Sequence, residues 1–269
     1  MTQVAQTNLQ LYNQLIAAGW SDTDLDRTRR AYELATELFA GQMRSSGKTF
    51  LAHLVGTASA VAATGGRPDL VHAALLHASY TLGEFGDGRR NSAASKRVAV
   101  RAVIGVEAEE LVAEYADLCY SAVTIDDWRR RAQTLSPGEH DLAVLRLANE
   151  VDEHVDLGTR YSDRNGHPMS SDSAFETMIA LAGQLDEPAL ADLMDRVRVG
   201  EAGVAVPVVL RSRASGSEMI APRSYWRRPV ILIQEAERSV RRQAAKIPGF
   251  RRAWRAACRL LRRSERGEP

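Results

Sequence analysis

The sequence predicts an all-α protein, and three observations carry that expectation. Aromatic residues make up only 6% of the 269-residue chain while Ala, Leu and Arg abound, a bias toward helix formers and away from the residues that strands prefer. Apolar side chains recur at three- and four-residue spacing along most of the chain. Gly and Pro fall between these periodic runs, where they act as punctuation. At 45% apolar the chain can bury a sizeable core, which excludes a disordered tail as well as an all-β fold.

Leu9, Tyr12, Leu15 and Ile16 mark a short opening helix stopped at Gly19. Ser21 with Asp24 forms a capping-box-like start for a second helix through Tyr32, Leu34, Leu38 and Phe39, ending near residues 41–47. After the loop Arg44-Ser-Ser-Gly-Lys-Thr49, a third helix spans Leu51 to Ala63. Gly65-Gly66 stops it, and Pro68 opens a fourth that ends near Tyr80. The short connection makes these two helices antiparallel neighbours. A Gly-rich polar stretch from Gly83 to Ser95 precedes helical patterns over Lys96–Ile104 and Glu107–Leu118. Pro137-Gly138 introduces another over Glu139–Leu157. Two further helices cover Asp172–Leu185 and Pro188–Val197, and Val199–Ser217 reads as a loop or small hairpin. Ile231–Lys246 and Phe250–Arg263 are again helical, split by Pro248-Gly249. The expected organisation is a helical domain over 1–198, a linker or small hairpin over 199–222, and a basic amphipathic helical tail over 223–269. No repeat or low-complexity tract interrupts it.

The formal charge of +1 hides an asymmetry, because Arg223 to Pro269 holds 14 Arg/Lys against 4 Asp/Glu, a net +10. The preceding residues are therefore acidic, at about −9. In the tail, Phe250, Trp254, Ala257, Cys258 and Leu261 form an apolar stripe fringed by Arg251, Arg252, Arg255, Arg259, Arg262, Arg263 and Arg266. This pattern suits either peripheral contact of residues 250–266 with an anionic membrane or packing against the acidic body. No helix-turn-helix or zinc finger accompanies the charge, so sequence-specific nucleic-acid binding is not expected. No signal-peptide pattern opens the chain, and Leu51 to Gly66, which carries His53, is shorter than the roughly 20 apolar residues of a spanning helix. A cytoplasmic protein, in peripheral contact with membrane at most, is expected. Cys119 and Cys258 offer neither a disulfide framework nor a metal-type pair.

Gly47-Lys48-Thr49 invites comparison with a phosphate loop, but residue 42 is Gln where that motif needs Gly, and a helix precedes it where the motif needs a strand. More informative is a three-part order: Arg44-Ser-Ser-Gly-Lys-Thr-Phe-Leu-Ala-His53, then Ala73-Ala-Leu-Leu-His77, then Leu145-Arg-Leu-Ala-Asn149-Glu-Val-Asp152. Each His ends an apolar run on a helix, so both can project into one bundle interior beside polar groups of a third helix. That is a common way to hold a metal, and equally a way to satisfy core histidines.

This order resembles the HD-domain superfamily, in particular the guanosine tetraphosphate hydrolase domain of RelA/SpoT proteins, over roughly Asp26 to Asp156. His77-Ala78-Ser79-Tyr80 is more similar to an uncharacterised HD-like bacterial family whose motif replaces His-Asp with His-Ser/Ala-x-Tyr. The resemblance implies a helical bundle in which His53 and His77 ligate one divalent metal, commonly manganese, that activates water against a phosphoester. Arg44 and Lys48 then hold an anionic ligand, with Tyr80 and Asn149 lining the pocket. In an enzyme of this kind Glu84 or Asp152 would orient the water, and Asp152, Glu84 or Asp87 could stand in for a missing carboxylate, although none of the three falls at a family motif position. The chain departs from the family at two places, since Ala78 and Asn149 stand where carboxylates belong. Losing two carboxylates weakens a hard-cation site. A remodelled zinc or iron site drawing on His140 or His154 is the alternative metal reading, although Glu150 and His154 also fit a surface pair. Two functions follow: a divergent metal-dependent hydrolase of a phosphorylated or nucleotide-like small molecule, or a non-catalytic HD-like protein that binds a ligand or a partner.

Overall fold

The computed structural model describes residues 4–162, 171–212 and 217–220. These residues are predominantly α-helical, with two strands of two residues each. Helix α1 (Asn8–Ala17) begins with a reciprocal capping box between Thr7 and Gln10. Helix α2 (Asp22–Phe39) is capped by Ser21 as expected, its side chain accepting from the Asp24 amide. Helices α3 (Phe50–Ala63) and α4 (Pro68–Leu76) follow, the first capped by Thr49 and the second opened by Pro68.

Helix α3 lies at the centre. Its residues from His53 to Val61 are all buried, which works because Gly56, Ala58, Ser59 and Ala60 keep it thin enough to be surrounded. It packs against α1, α2, α4 and α9 (Pro137–Val155). Each polar group on it finds a partner: Thr57 donates to the His53 carbonyl, and the Ser59 hydroxyl accepts from the Ala5 amide while donating to Gln14.

The fourth helix is shorter than expected. It stops at Leu76, and a separate single turn, α5 (Ser79–Leu82), carries Tyr80. The His77 ring binds the Ala74 carbonyl at 2.7 Å, a local side-chain bond of the kind that competes with continuing the helix. Helices α6 (Ala94–Ile104) and α7 (Val106–Asp117) meet at Gly105, whose φ of 90° suits glycine. Helix α8 (Ala122–Arg131) escapes the sequence reading because it buries only Ile125 and Trp128, too sparse a stripe to register. After α9 come α10 (Gly158–Tyr161), α11 (Asp172–Gln184) and α12 (Pro188–Glu201).

The expected linker departs most from its description. Residues 199–201 complete α12, and strand β2 (Glu218–Met219) pairs antiparallel with β1 (Gln42–Met43), far back in the chain. Among the described residues the segment is thus joined to the first unit through β1. The chain divides into two compact units, Met1–Ile220 and Ala221–Pro269. The helices expected over 231–246 and 250–263 lie outside the described residues. Among the described residues no helix is long and apolar enough to cross a membrane.

Candidate functional site

Three helices deliver the polar cluster. The turn Arg44–Thr49 closes on itself, with the Arg44 amide donating to the Lys48 carbonyl at 2.8 Å and Gly47 at a φ of 88°. The Arg44, Gly47 and Lys48 amides serve the turn, and the Lys48 ammonium points to carboxylates 2.7 Å (Asp152) and 2.9 Å (Asp156) away. His53 follows one turn into α3, His77 ends α4, and Asn149 and Asp152 lie three residues apart on α9. His53, His77, Asn149 and Asp152 are all buried.

The hydrogen bonds fix every orientation. His77 Nδ1 faces the Ala74 carbonyl, so that nitrogen carries the proton and Nε2 keeps its lone pair. His53 Nδ1 lies 2.7 Å from Asp152 Oδ2 and is protonated for the same reason. Both free lone pairs converge on one group, the Asn149 amide nitrogen, 2.9 Å from His53 Nε2 and 3.2 Å from His77 Nε2. Its two N–H bonds thus donate one to each ring. The amide oxygen receives Arg146, whose guanidinium also pairs with Glu150, reaches the Tyr115 hydroxyl at 3.2 Å and lies 3.8 Å from the centre of the Tyr120 ring. Asp152 has both oxygens committed, Oδ2 to His53 and Oδ1 to Lys48 and to the Gln6 amide at 3.2 Å.

Burial, and after it the positive charge of Arg44, holds the His53 imidazole well below its ordinary range, while burial takes His77 down to about 3. Burial also pushes Asp152 up to about 6, against the pull of Lys48. Although burial opposes its charge, Glu150 keeps the Arg146 guanidinium firmly protonated.

A pH dependence of stability follows. Below about pH 6.5 the unfolded chain protonates imidazoles that the folded chain keeps neutral, namely His53, His77 and His72, the last lowered by burial to about 4. Their contribution is complete above pH 6.5 and is lost as pH falls toward 4. Asp152, raised in the folded state, offsets one of the three protons below pH 6. Unfolding free energies from urea titrations should therefore fall between pH 6.5 and 4.5 by roughly 1–3 kcal/mol per pH unit. A flat profile would mean that the rings are not held neutral.

The residues at the convergence do not fit a resident divalent cation. Two imidazoles supply lone pairs, but the third group presents N–H bonds, and a guanidinium stands directly behind it. A hard cation needs oxygen anions at that point. Among the described residues no three His, Cys, Asp or Glu side chains are grouped to hold a metal. His140 and His154 do not supply one: His140 binds the Leu185 carbonyl, and His154 pairs with Glu201 at 2.9 Å and stacks on Phe175. Glu150 and His154 are both buried and pair with other residues, so they form no surface pair.

The other expected site residues divide. Lys48 joins the cluster through Asp152, while Arg44 pairs with Glu153 and lies over Phe50. Tyr80 does not line it, since its hydroxyl donates at 2.8 Å to Glu109, a carboxylate also held by Arg97 and Arg101. Glu84 turns to Arg90 at 3.4 Å, and Asp87 to Lys96 at 2.9 Å. Asp152 has both oxygens engaged and positions His53 through Oδ2. Sequence reasoning missed Arg146, Tyr115, Gln6 and Gly56. Arg146, Asn149, Glu150 and Glu153 fall on one stripe of α9, but nothing in the sequence separates a paired Arg146 from a solvated one.

A family profile described as a domain of unknown function, DUF6817, matches residues 34–119. That region includes α3, α4 and both histidines and stops short of α9. No curated protein matches the chain.

Proposed function

We propose that the chain is a non-catalytic, HD-like protein that binds a small anionic ligand where Arg44 and Lys48 guard the buried histidines. The bonding of Asn149 carries this reading. Its carboxamide occupies both imidazole lone pairs, so neither ring is available to hold a metal or take a proton from water, and Arg146 supplies the positive charge that a cation otherwise would. The order of the three motifs supports the HD-like assignment, and the absence of carboxylates at Ala78 and Asn149 supports loss of hydrolysis. The Arg44 and Lys48 side chains keep 14% and 11% of their surface exposed, and an incoming anion replaces Glu153 and Asp156 as their partners. Asp156 is the easier to displace because its side chain is 37% exposed. Lys48 keeps Asp152, and through it His53, in place during the exchange.

Elemental analysis and thermal shift on the purified chain test this together. After incubation with Mn²⁺, Fe²⁺ or Zn²⁺ and desalting, the protein should retain well under 0.1 equivalent of metal (about tenfold below one site) and should turn over no phosphoester. Inorganic pyrophosphate should raise Tm by a few degrees, an effect lost in Lys48→Met. One equivalent of metal that His77→Ala removes, with metal-dependent phosphoester turnover, would establish the hydrolase instead.

A further inference from the structure

Past α12 the chain makes a compact turn that breaks a basic rule of soluble surfaces. Val208, Val209 and Leu210 form one turn of 3-10 helix and are 77%, 90% and 57% exposed. Three consecutive apolar side chains in solvent are a defect unless they meet something. The turn is not a loose end. Val206, two residues before it, is buried, and the Leu210 amide donates to the Pro207 carbonyl. Arg160 Nη1 donates to the Val204 carbonyl at 3.0 Å, Arg211 Nε donates to the Val206 carbonyl at 3.2 Å, and the Ser212 amide donates to the Tyr161 carbonyl at 2.7 Å. The apolar tip is therefore held out on a braced support, with Arg160 and Arg211 at its base.

We propose that Val208-Val209-Leu210 is a membrane-docking wedge that inserts into an anionic bilayer surface. Charge selects this occupant. The tip is uncharged and aliphatic, two guanidinium groups flank it, and the chain that follows carries the +10 of residues 223–269. An aliphatic tip that enters the headgroup boundary while arginines meet lipid phosphates is the two-signal arrangement that stable peripheral binding requires. A second copy of this chain would also cover valines, but two such cationic collars would repel each other. The wedge stands independently of the anion site proposed above.

The test uses the full chain and sedimentation with vesicles of phosphatidylcholine alone or with 30% phosphatidylserine. The chain should bind the anionic vesicles, and Val208→Glu/Val209→Glu should weaken the partition coefficient at least tenfold while leaving Tm unchanged, since both side chains are already in solvent. A fluorophore on Val209→Cys, with Cys119 and Cys258 replaced by Ser, should shift to the blue on the same vesicles. Partition unaffected by the glutamates, or a fluorophore that stays in water, would overturn the wedge and leave the tail as the only lipid contact. A concentration-dependent dimer that the two glutamates abolish, without vesicle binding, would overturn it in favour of a second copy.

Discussion

Gly56→Ala should cost the protein roughly 3–5 kcal/mol, although adding a methyl to a helix ordinarily gains about 1 kcal/mol. A Cβ at residue 56 would lie 1.7 Å from Asp152 Oδ1 and 2.5 Å from its Cγ, with the Gln6 amide at 3.0 Å. Neither side can yield cheaply. Helix α3 is enclosed on all sides, and the Asp152 carboxylate is tied to His53, Lys48 and Gln6. Overpacking alone costs about 1–3 kcal/mol. Displacing a buried carboxylate from a histidine and a lysine adds to it, by up to the roughly 3–5 kcal/mol of a broken buried pair. Gly183 and Gly200, which sit in helices with open space at their Cβ positions, provide the control: alanine there should be neutral or stabilising by up to about 1 kcal/mol. Urea unfolding of the three variants decides the point. A double-mutant cycle with Asp152→Ala should show strong coupling, because removing the carboxylate removes the obstacle. If Gly56→Ala behaves like the two controls, Asp152 is not packed where the structure has it.

Much of this site is legible in the sequence. Ser21 and Pro68 are local signals, readable because a cap or a first-turn proline needs only the residue itself and the few after it. The convergence of His53, His77, Asn149 and Asp152 was also expected, since each ends or lies along an apolar helical face. What escaped depends on partners distant in sequence. Tyr80 follows His77 by three residues, and on a continuous helix it would face the same way. The break after Leu76 turns it instead toward Glu109 on α7, and nothing local to Tyr80 announces that carboxylate. Arg146 reads as a solvated residue until Glu150, Tyr115 and Tyr120 surround it, and those come from three separate segments. Gln6 precedes the first helix in no motif at all, yet it completes the shell of Asp152. Charge that is exposed and charge that is buried and paired look identical in a sequence, and only the fold separates them.

Arg146→Met should separate the two roles of that residue. Met fills much of the volume but leaves the Glu150 carboxylate and the Asn149 oxygen buried and unpaired, and removing one member of a buried ion pair typically costs about 3–5 kcal/mol. Loss of the contact with the Tyr120 ring, 3.8 Å from the guanidinium, adds to that cost. Glu150→Gln in the same background should recover much of the stability, because no uncompensated charge then remains. The more telling readout is metal. With the guanidinium gone, the Asn149 carboxamide is free to rotate its oxygen toward His53 and His77, and Glu150 stands nearby as a free carboxylate. That set of two imidazoles and two oxygens is one Zn²⁺ accepts. Zinc at a few hundred micromolar, without effect on the parent chain, should therefore raise the Tm of Arg146→Met by several degrees through preferential binding to the folded state. It should do so less in Arg146→Met/Glu150→Gln, where the carboxylate is missing. If zinc raises the parent and the variant equally, the guanidinium is not what keeps cations out. A destabilised variant indifferent to zinc would mean that Asn149 stays locked across the two histidines without Arg146 holding it there.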